Sequence, residues 1–146
     1  MWLSLTWDGH PQHVAANRWF NSLEDAQLLF CRFTMLGLLR VLTNRQVMGA
    51  STSSVAEALQ VYDRWLVDPR VEVSPEPHGT EEQFRAALIL HASEPATKAI
   101  ADCYLAGFAE AAGARLVTFD RALARMIRPP CAAAVLLKPS HAPTRP

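Results

Sequence analysis

Hydrophobic and polar positions along this chain alternate between helical spacing and short apolar runs. Apolar residues spaced three and four apart predict helices over residues 10–23, 34–42, 55–67, 80–91, 102–112 and 121–126. Short apolar runs predict strands at 27–31, 71–73, 115–119 and 132–137. Because short, uninterrupted apolar strands alternate with helices, the pattern predicts an α/β fold with a short parallel sheet covered on both faces. The sheet has one strand fewer than such a fold needs.

The segment from Asp102 to Asp120, DCYLAGFAEAAGARLVTFD, combines a helix, a helix stop and a strand. Gly113 stands where a left-handed helix end favours glycine, and Asp120 follows the strand. Ligands of open α/β sheets bind outside the carboxyl ends of the strands, and a helix starting near Asp102 would add a partial positive field there. Two carboxylates at one edge repel each other unless a cation lies between them. The segment therefore predicts a site for a hard metal ion.

Composition narrows the possible classes of protein. The 146 residues are enough for one domain, half of them are hydrophobic, and 14 acidic residues balance 14 basic ones, so any nucleic-acid contact must come from a local patch. Cys31, Cys103 and Cys131 are odd in number, far apart and without metal-finger spacing. We therefore interpret them as small buried hydrophobic residues of a protein from a reducing compartment. No apolar run is long enough for a membrane span, and the start lacks the pattern of a signal peptide. We expect a cytoplasmic protein with a single domain over 1–137 and a Pro-rich flexible tail over 138–146.

Three segments together resemble the PIN domain of VapC-type toxins from bacterial toxin–antitoxin pairs. WDGHPQHVAANRWF (7–20) resembles the first helix of that family, FCRFTMLGLLRVLTN (30–44) its second strand and helix, and the 102–120 segment its C-terminal half. The resemblance spans about residues 2–137 and implies a three-layer α/β/α fold. It also implies a toxin that cleaves RNA as a Mg²⁺- or Mn²⁺-dependent endoribonuclease, forms a homodimer and is held inactive by a cognate antitoxin.

The resemblance also implies roles for four residues. Asp102 matches a metal ligand, Asp120 an auxiliary ligand or partner of a metal-bound water, and Thr118 a residue that orients a water or a carboxylate. Arg40 matches a basic position near which a phosphate could lie. Each also has an ordinary structural interpretation. Asp102 could be an acid at a helix N-terminus, and Asp120 an N-cap for the next helix. Thr118 could be an ordinary strand residue, and Arg40 a solvated charge on a helix.

The chain departs from the family pattern at two places. The first strand and its Asp are missing, since that Asp would fall about two residues before Met1, and Met35 stands where many members have Glu. Either the natural start lies upstream, or the chain is a shortened remnant that is poorly stable or forms a makeshift strand over residues 1–6. The alternative function is a catalytically impaired PIN-like module that binds an antitoxin or dimerises without cleaving RNA. An unrelated nucleotide-binding α/β domain is disfavoured because no Gly-rich turn is present.

Overall fold

A computed structural model describes residues 1–91, 93, 95, 97–127 and 133–139, with only the backbone of residues 97 and 98. Contacts divide the chain into two compact units, Met1–Pro75 and Glu76–Lys138. Each unit contains one two-stranded parallel sheet between helices, so the predicted α/β class with parallel strands is confirmed. We expected one sheet, but the described strands form two separate two-stranded sheets, because no strand of one pair hydrogen-bonds to a strand of the other. The single domain over 1–137 stays a prediction, and Cys131 and tail residues 140–146 lie outside the described part.

The first unit consists of five helices, a 3₁₀ turn and two strands. In chain order they are α1 (Trp2–Thr6), α2 (His13–Asn21), β1 (Leu28–Phe30), α3 (Arg32–Leu42), α4 (Arg45–Met48), the 3₁₀ turn (Gly49–Ser51), α5 (Val55–Val67) and β2 (Val71–Val73). Strand β1 pairs with β2 in parallel, with Leu28 opposite Val71 and Phe30 opposite Val73. Helices α3 to α5 make the crossover that a parallel pair requires.

The first residues of the chain form a helix, so the expected makeshift strand over residues 1–6 is wrong. Trp2 of α1 stacks on Phe30 of β1 with the ring centroids 3.6 Å apart. The indole nitrogen of Trp65 donates to the Thr6 hydroxyl over 2.9 Å, and Leu5 is buried. Aromatic packing against β1 and a hydrogen bond from α5 thus hold the first residues in a helical conformation.

Helix α5 spans the predicted residues, whereas α2 is shorter than predicted. A capping box starts α5, since Glu57 and Ser54 bond each other's backbone amides. Helix α2 begins at His13, three residues later than expected. Val14 of this helix is 60% exposed, while Ala16 and Phe20 are buried. Val14 is two positions from Ala16 and therefore lies on the opposite side of the helix.

The second unit consists of three helices and two strands. In chain order they are α6 (Thr80–Ile89), α7 (Thr97–Ala111), β3 (Arg115–Thr118), α8 (Arg121–Met126) and β4 (Ala133–Leu136). Strands β3 and β4 are parallel, with Arg115 opposite Ala133 and Thr118 opposite Leu136. Ala106, Ala109 and Ile127 are buried together in this unit.

One of the two α6 and α7 helix starts differs from the prediction. Helix α7 begins at Thr97, five residues before Asp102, so the expected start near Asp102 is wrong. Residues 97–101 (TKAIA) contain no Gly or Pro and simply extend the helix. Helix α6 begins at Thr80 as predicted, with Gly79 as its N-cap at φ +89°, and the buried Thr80 hydroxyl donates to the Pro77 carbonyl.

None of the helices in the described part of the chain has both the length and the apolar character needed to cross a bilayer.

Candidate active site

The end of α7 and the strand after it determine where Asp120 lies. Gly113 has φ +59°, and the Ala114 amide reaches back to the Ala109 carbonyl over 2.9 Å. This is the predicted left-handed helix stop, which is confirmed. Strand β3 then runs from Arg115 to Thr118, and Asp120 lies just past its carboxyl end.

Asp120 and Thr118 form one hydrogen-bonded turn. One Asp120 carboxylate oxygen accepts from the backbone amides of Ala122 at 2.7 Å and Leu123 at 3.3 Å, which makes Asp120 the N-cap of α8. The Asp120 amide in turn donates to the Thr118 hydroxyl over 2.9 Å, and Thr118 is buried. The structure therefore gives Thr118 a definite task, which is to hold the Asp120 turn, and leaves the second Asp120 oxygen without a cap bond.

Asp102 projects from the second turn of α7 and is half-buried. Burial, and then the negative charge of Asp120, raise the pKa of Asp102 above its ordinary value. A carboxylate stabilised by a helix N-terminus would show a lowered pKa instead. Among the described residues, Asp102 has neither a hydrogen bond nor an ion pair from its side chain. The structural interpretation as a dipole-stabilised acid thus loses its support.

The two carboxyl groups make a local concentration of unneutralised negative charge. The negative charge of Asp120 contributes to the raised pKa of Asp102, and Asp120 itself lies just past the carboxyl end of β3. Within the described residues, no group of three or more His, Cys, Asp or Glu side chains is assembled for a metal. Carboxylate oxygens are nevertheless the ligands that Mg²⁺ and Mn²⁺ prefer, and Mg²⁺ commonly uses one or two of them together with water and phosphate.

Arg40 belongs to the other unit. It is exposed on the last turn of α3, where a cation complements the helix dipole. On the same helix, Met35 is half-buried, and its sulfur lies 2.9 Å from a guanidinium nitrogen of Arg32. Asp102, Asp120 and Thr118 thus lie in the second unit, where Asp120 and Thr118 are hydrogen-bonded, and Arg40 lies in the first.

Two basic residues at the same edge were missed by the sequence reasoning. Thr118 lies opposite Leu136, and the Leu137 amide donates to the Thr118 carbonyl over 2.9 Å. Lys138 therefore follows β4 by two residues, as Asp120 follows β3. Arg121 comes directly after Asp120, and both cations are exposed. Adjacency to Asp120 could have drawn attention to Arg121, but only the register of β3 and β4 reveals Lys138.

A family model described as the PIN domain matches residues 1–128, which is most of the chain. The chain belongs to the PIN-domain family. This PIN domain is 40% identical to Ribonuclease VapC41 of Mycobacterium tuberculosis over 127 residues, covering 84% of this chain and 86% of that protein. It is 30% identical to Ribonuclease VapC39 of the same organism over 130 residues, covering 84% and 85%. The predicted membership in the VapC family of PIN-domain nucleases is therefore confirmed.

Proposed function

We propose that this PIN domain is the toxin of a toxin–antitoxin pair and cleaves RNA phosphodiester bonds with the help of Mg²⁺ or Mn²⁺. The observation that carries the proposal is the unpaired, half-buried Asp102 beside Asp120 at the carboxyl edge of β3. The relatives named as ribonucleases support RNA as the substrate. The balanced charge and the reducing compartment expected from the cysteines agree with action in the cytoplasm.

The residues at this edge fit a hard divalent cation. Asp102 has no protein partner in the described part of the chain, and burial, followed by the charge of Asp120, raises its pKa. The Asp102 carboxylate and the Asp120 oxygen outside the α8 cap are oxygen donors whose repulsion a cation would relieve. When bound, a divalent metal lowers the pKa of a coordinated water and offsets charge at the scissile phosphate.

The residues of the chain have distinct tasks in this proposal. Asp102 holds the metal with a carboxylate that no protein cation neutralises. Asp120 contributes through the carboxylate oxygen that is free of the α8 cap, as a second ligand or as an acceptor for a metal-bound water. Thr118 fixes the Asp120 turn through the 2.9 Å bond to its amide. Arg40 remains a proposed contact for the RNA phosphate from the first unit.

The partners in this proposal are a cognate antitoxin and a second copy of the chain. Helix α5 offers exposed apolar side chains for such contacts, since Val55 and Leu59, one helical turn apart, are 69% and 40% exposed. Apolar area of this kind on a helix is suited to burial against another protein.

A specific observation also favours a second function, a PIN-like module that binds an antitoxin without cleaving RNA. Met35 occupies a position where an acid is common in the resembling toxins, and its thioether is a poor ligand for Mg²⁺. Metal binding separates the two proposals, because only the nuclease needs the cation.

The test is cleavage of a structured RNA by the purified full chain, in MgCl₂ or MnCl₂ and in EDTA. We expect metal-dependent cleavage that Asp102→Asn abolishes. Asp63→Asn is the matched control, since it makes the same chemical change on the exposed face of α5 and should retain activity.

Thermal unfolding supplies a second readout. Metal at tenfold its Kd should stabilise the wild type by about 1.4 kcal/mol, and Asp102→Asn should lose this response. A folded protein that neither cleaves RNA nor binds Mn²⁺ in calorimetry would favour the module.

A further inference from the structure

The carboxyl edge of the β3–β4 sheet carries cations as well as carboxylates. Lys138 follows β4 as Asp120 follows β3, since Thr118 and Leu136 are paired and the Leu137 amide bonds to the Thr118 carbonyl. Arg121 is the residue after Asp120. The edge therefore carries two positive residues that the chain and the strand register place next to Asp120.

These cations are not neutralised by the acids beside them. Within the described part of the chain, the ion pairs are Arg70 with Asp68 and Arg85 with Glu81, so neither Arg121 nor Lys138 takes part in one. The Asp120 carboxylate is engaged by the amides of α8 instead. Both cations are exposed and remain available to an anion from solution.

The position of Arg121 has no benefit for the helix that carries it. It lies in the first turn of α8, where the dipole disfavours a cation, and four residues before Arg125. Like charges at this spacing on one helix face repel each other. Arg121 therefore does not stabilise α8, whereas an arginine at this position is suited to binding an external anion.

We propose that Arg121 and Lys138 bind the phosphate backbone of the RNA substrate at the carboxyl edge that also carries Asp120. This inference rests on the proposed nuclease function, because it takes RNA to be the anion. An arginine can grip two phosphate oxygens with its planar fork, and a lysine acts as a mobile point charge. Cations at this edge would draw a polyanion toward acidic side chains that would otherwise repel it.

The test measures the affinity of the full chain for a fluorescein-labelled single-stranded RNA by fluorescence anisotropy, in EDTA, over a series of salt concentrations. Each phosphate contact contributes about 0.7 to the slope of log K against log salt. Arg121→Gln and Lys138→Gln should each lower that slope by about 0.7. Each should also weaken binding about fivefold, the fold-change equivalent to one unit charge at about 4 Å in water.

Arg115→Gln is the matched control. It removes one positive charge from the same two-stranded sheet, but at the amino end of β3, about 10 Å from Thr118 at about 3.3 Å per residue. That separation exceeds the screening length of about 8 Å at physiological salt. Arg115→Gln should leave both affinity and slope unchanged, and Lys138→Arg should restore both, with equal thermal stability as the check on folding.

The outcomes separate this inference from the nuclease proposal. Equal weakening by Arg115→Gln and Lys138→Gln, or an unchanged slope in Lys138→Gln, overturns the inference even if the wild type cleaves RNA. The expected slopes without any metal-dependent cleavage support the RNA contact and overturn the nuclease function.

Discussion

The close approach of α7 to α6 at Gly107 makes Gly107→Ala an informative substitution. A Cβ added at Gly107 of α7 would lie 2.6 Å from the backbone nitrogen of Phe84 in α6 and 2.9 Å from its Cα. Neither is the end of a flexible side chain, so α6 must shift to admit the methyl group. Gly37 of α3 is the matched control, because a Cβ there meets nothing within 4 Å.

The expected free energies of unfolding follow from two opposing terms. Alanine is favoured over glycine inside a helix by about 1 kcal/mol at both positions. At Gly37 this term acts alone, so the variant should be more stable by about 0.5–1 kcal/mol. At Gly107, overpacking costs about 1–3 kcal/mol, and the backbone contact places it at the upper end, for a net loss of about 1–2 kcal/mol. The two variants should thus differ by about 2–3 kcal/mol.

Thermal unfolding followed by circular dichroism measures this difference. For a chain of this size, 1 kcal/mol corresponds to about 2–4 °C, so the Tm values should be about 4–12 °C apart, with Gly37→Ala the higher. Because α7 also carries Asp102, Gly107→Ala should weaken Mn²⁺ binding in calorimetry, whereas Gly37→Ala should not. A Gly107→Ala protein as stable as Gly37→Ala would refute the close packing of α6 on α7.

Three further predictions concern charged side chains. Because burial, and then Asp120, raise the pKa of Asp102, the folded state binds that proton more tightly than the unfolded chain does. Without metal, Asp102→Asn should therefore raise Tm at pH 7. The gain in Tm should shrink as the pH falls through the pKa of Asp102 in the folded state, and it should vanish below the ordinary aspartic acid pKa of about 3.9. A gain in Tm that grew on acidification would contradict this. Asp120→Ala should lose the α8 cap and about 1 kcal/mol in metal-free urea unfolding, whereas Asp120→Asn should keep the cap. Arg70→Lys should lose about 1 kcal/mol in the same assay, because a lysine cannot keep both bonds to Asp68 and the guanidinium position 3.9 Å above the Phe20 ring; unchanged stability would show that these contacts contribute nothing.

The sequence by itself determined the features that depend on neighbouring residues. The span of α5 follows from its apolar spacing and from Ser54 and Glu57, which bond each other's amides within one turn. The stop at Gly113 follows from the freedom of glycine at positive φ. The α8 cap follows from Asp120, which bonds amides only two and three residues away. The family, too, could be recognised from the segments at 7–20, 30–44 and 102–120.

Only the tertiary structure decided the features that depend on residues far apart in the chain. The helical N-terminus is held by contacts of Trp2 with Phe30 and of Thr6 with Trp65. These residues are far apart in the chain, so the sequence near residues 1–6 does not predict their contacts. Likewise, the start of α7 at Thr97 moved Asp102 away from the helix N-terminus, so that burial and a neighbouring charge, rather than the dipole, govern its pKa.

The edge that carries the candidate site shows the same division. The sequence placed Asp120 after a strand, because a strand and its end are local features. It could not place Lys138 beside Asp120, because that neighbourhood depends on the register between β3 and β4. A shift of one residue would exchange the faces of every side chain in β4. Register is fixed by hydrogen bonds and packing between separate strands, and so only the folded chain brings the acids and the cations to one edge.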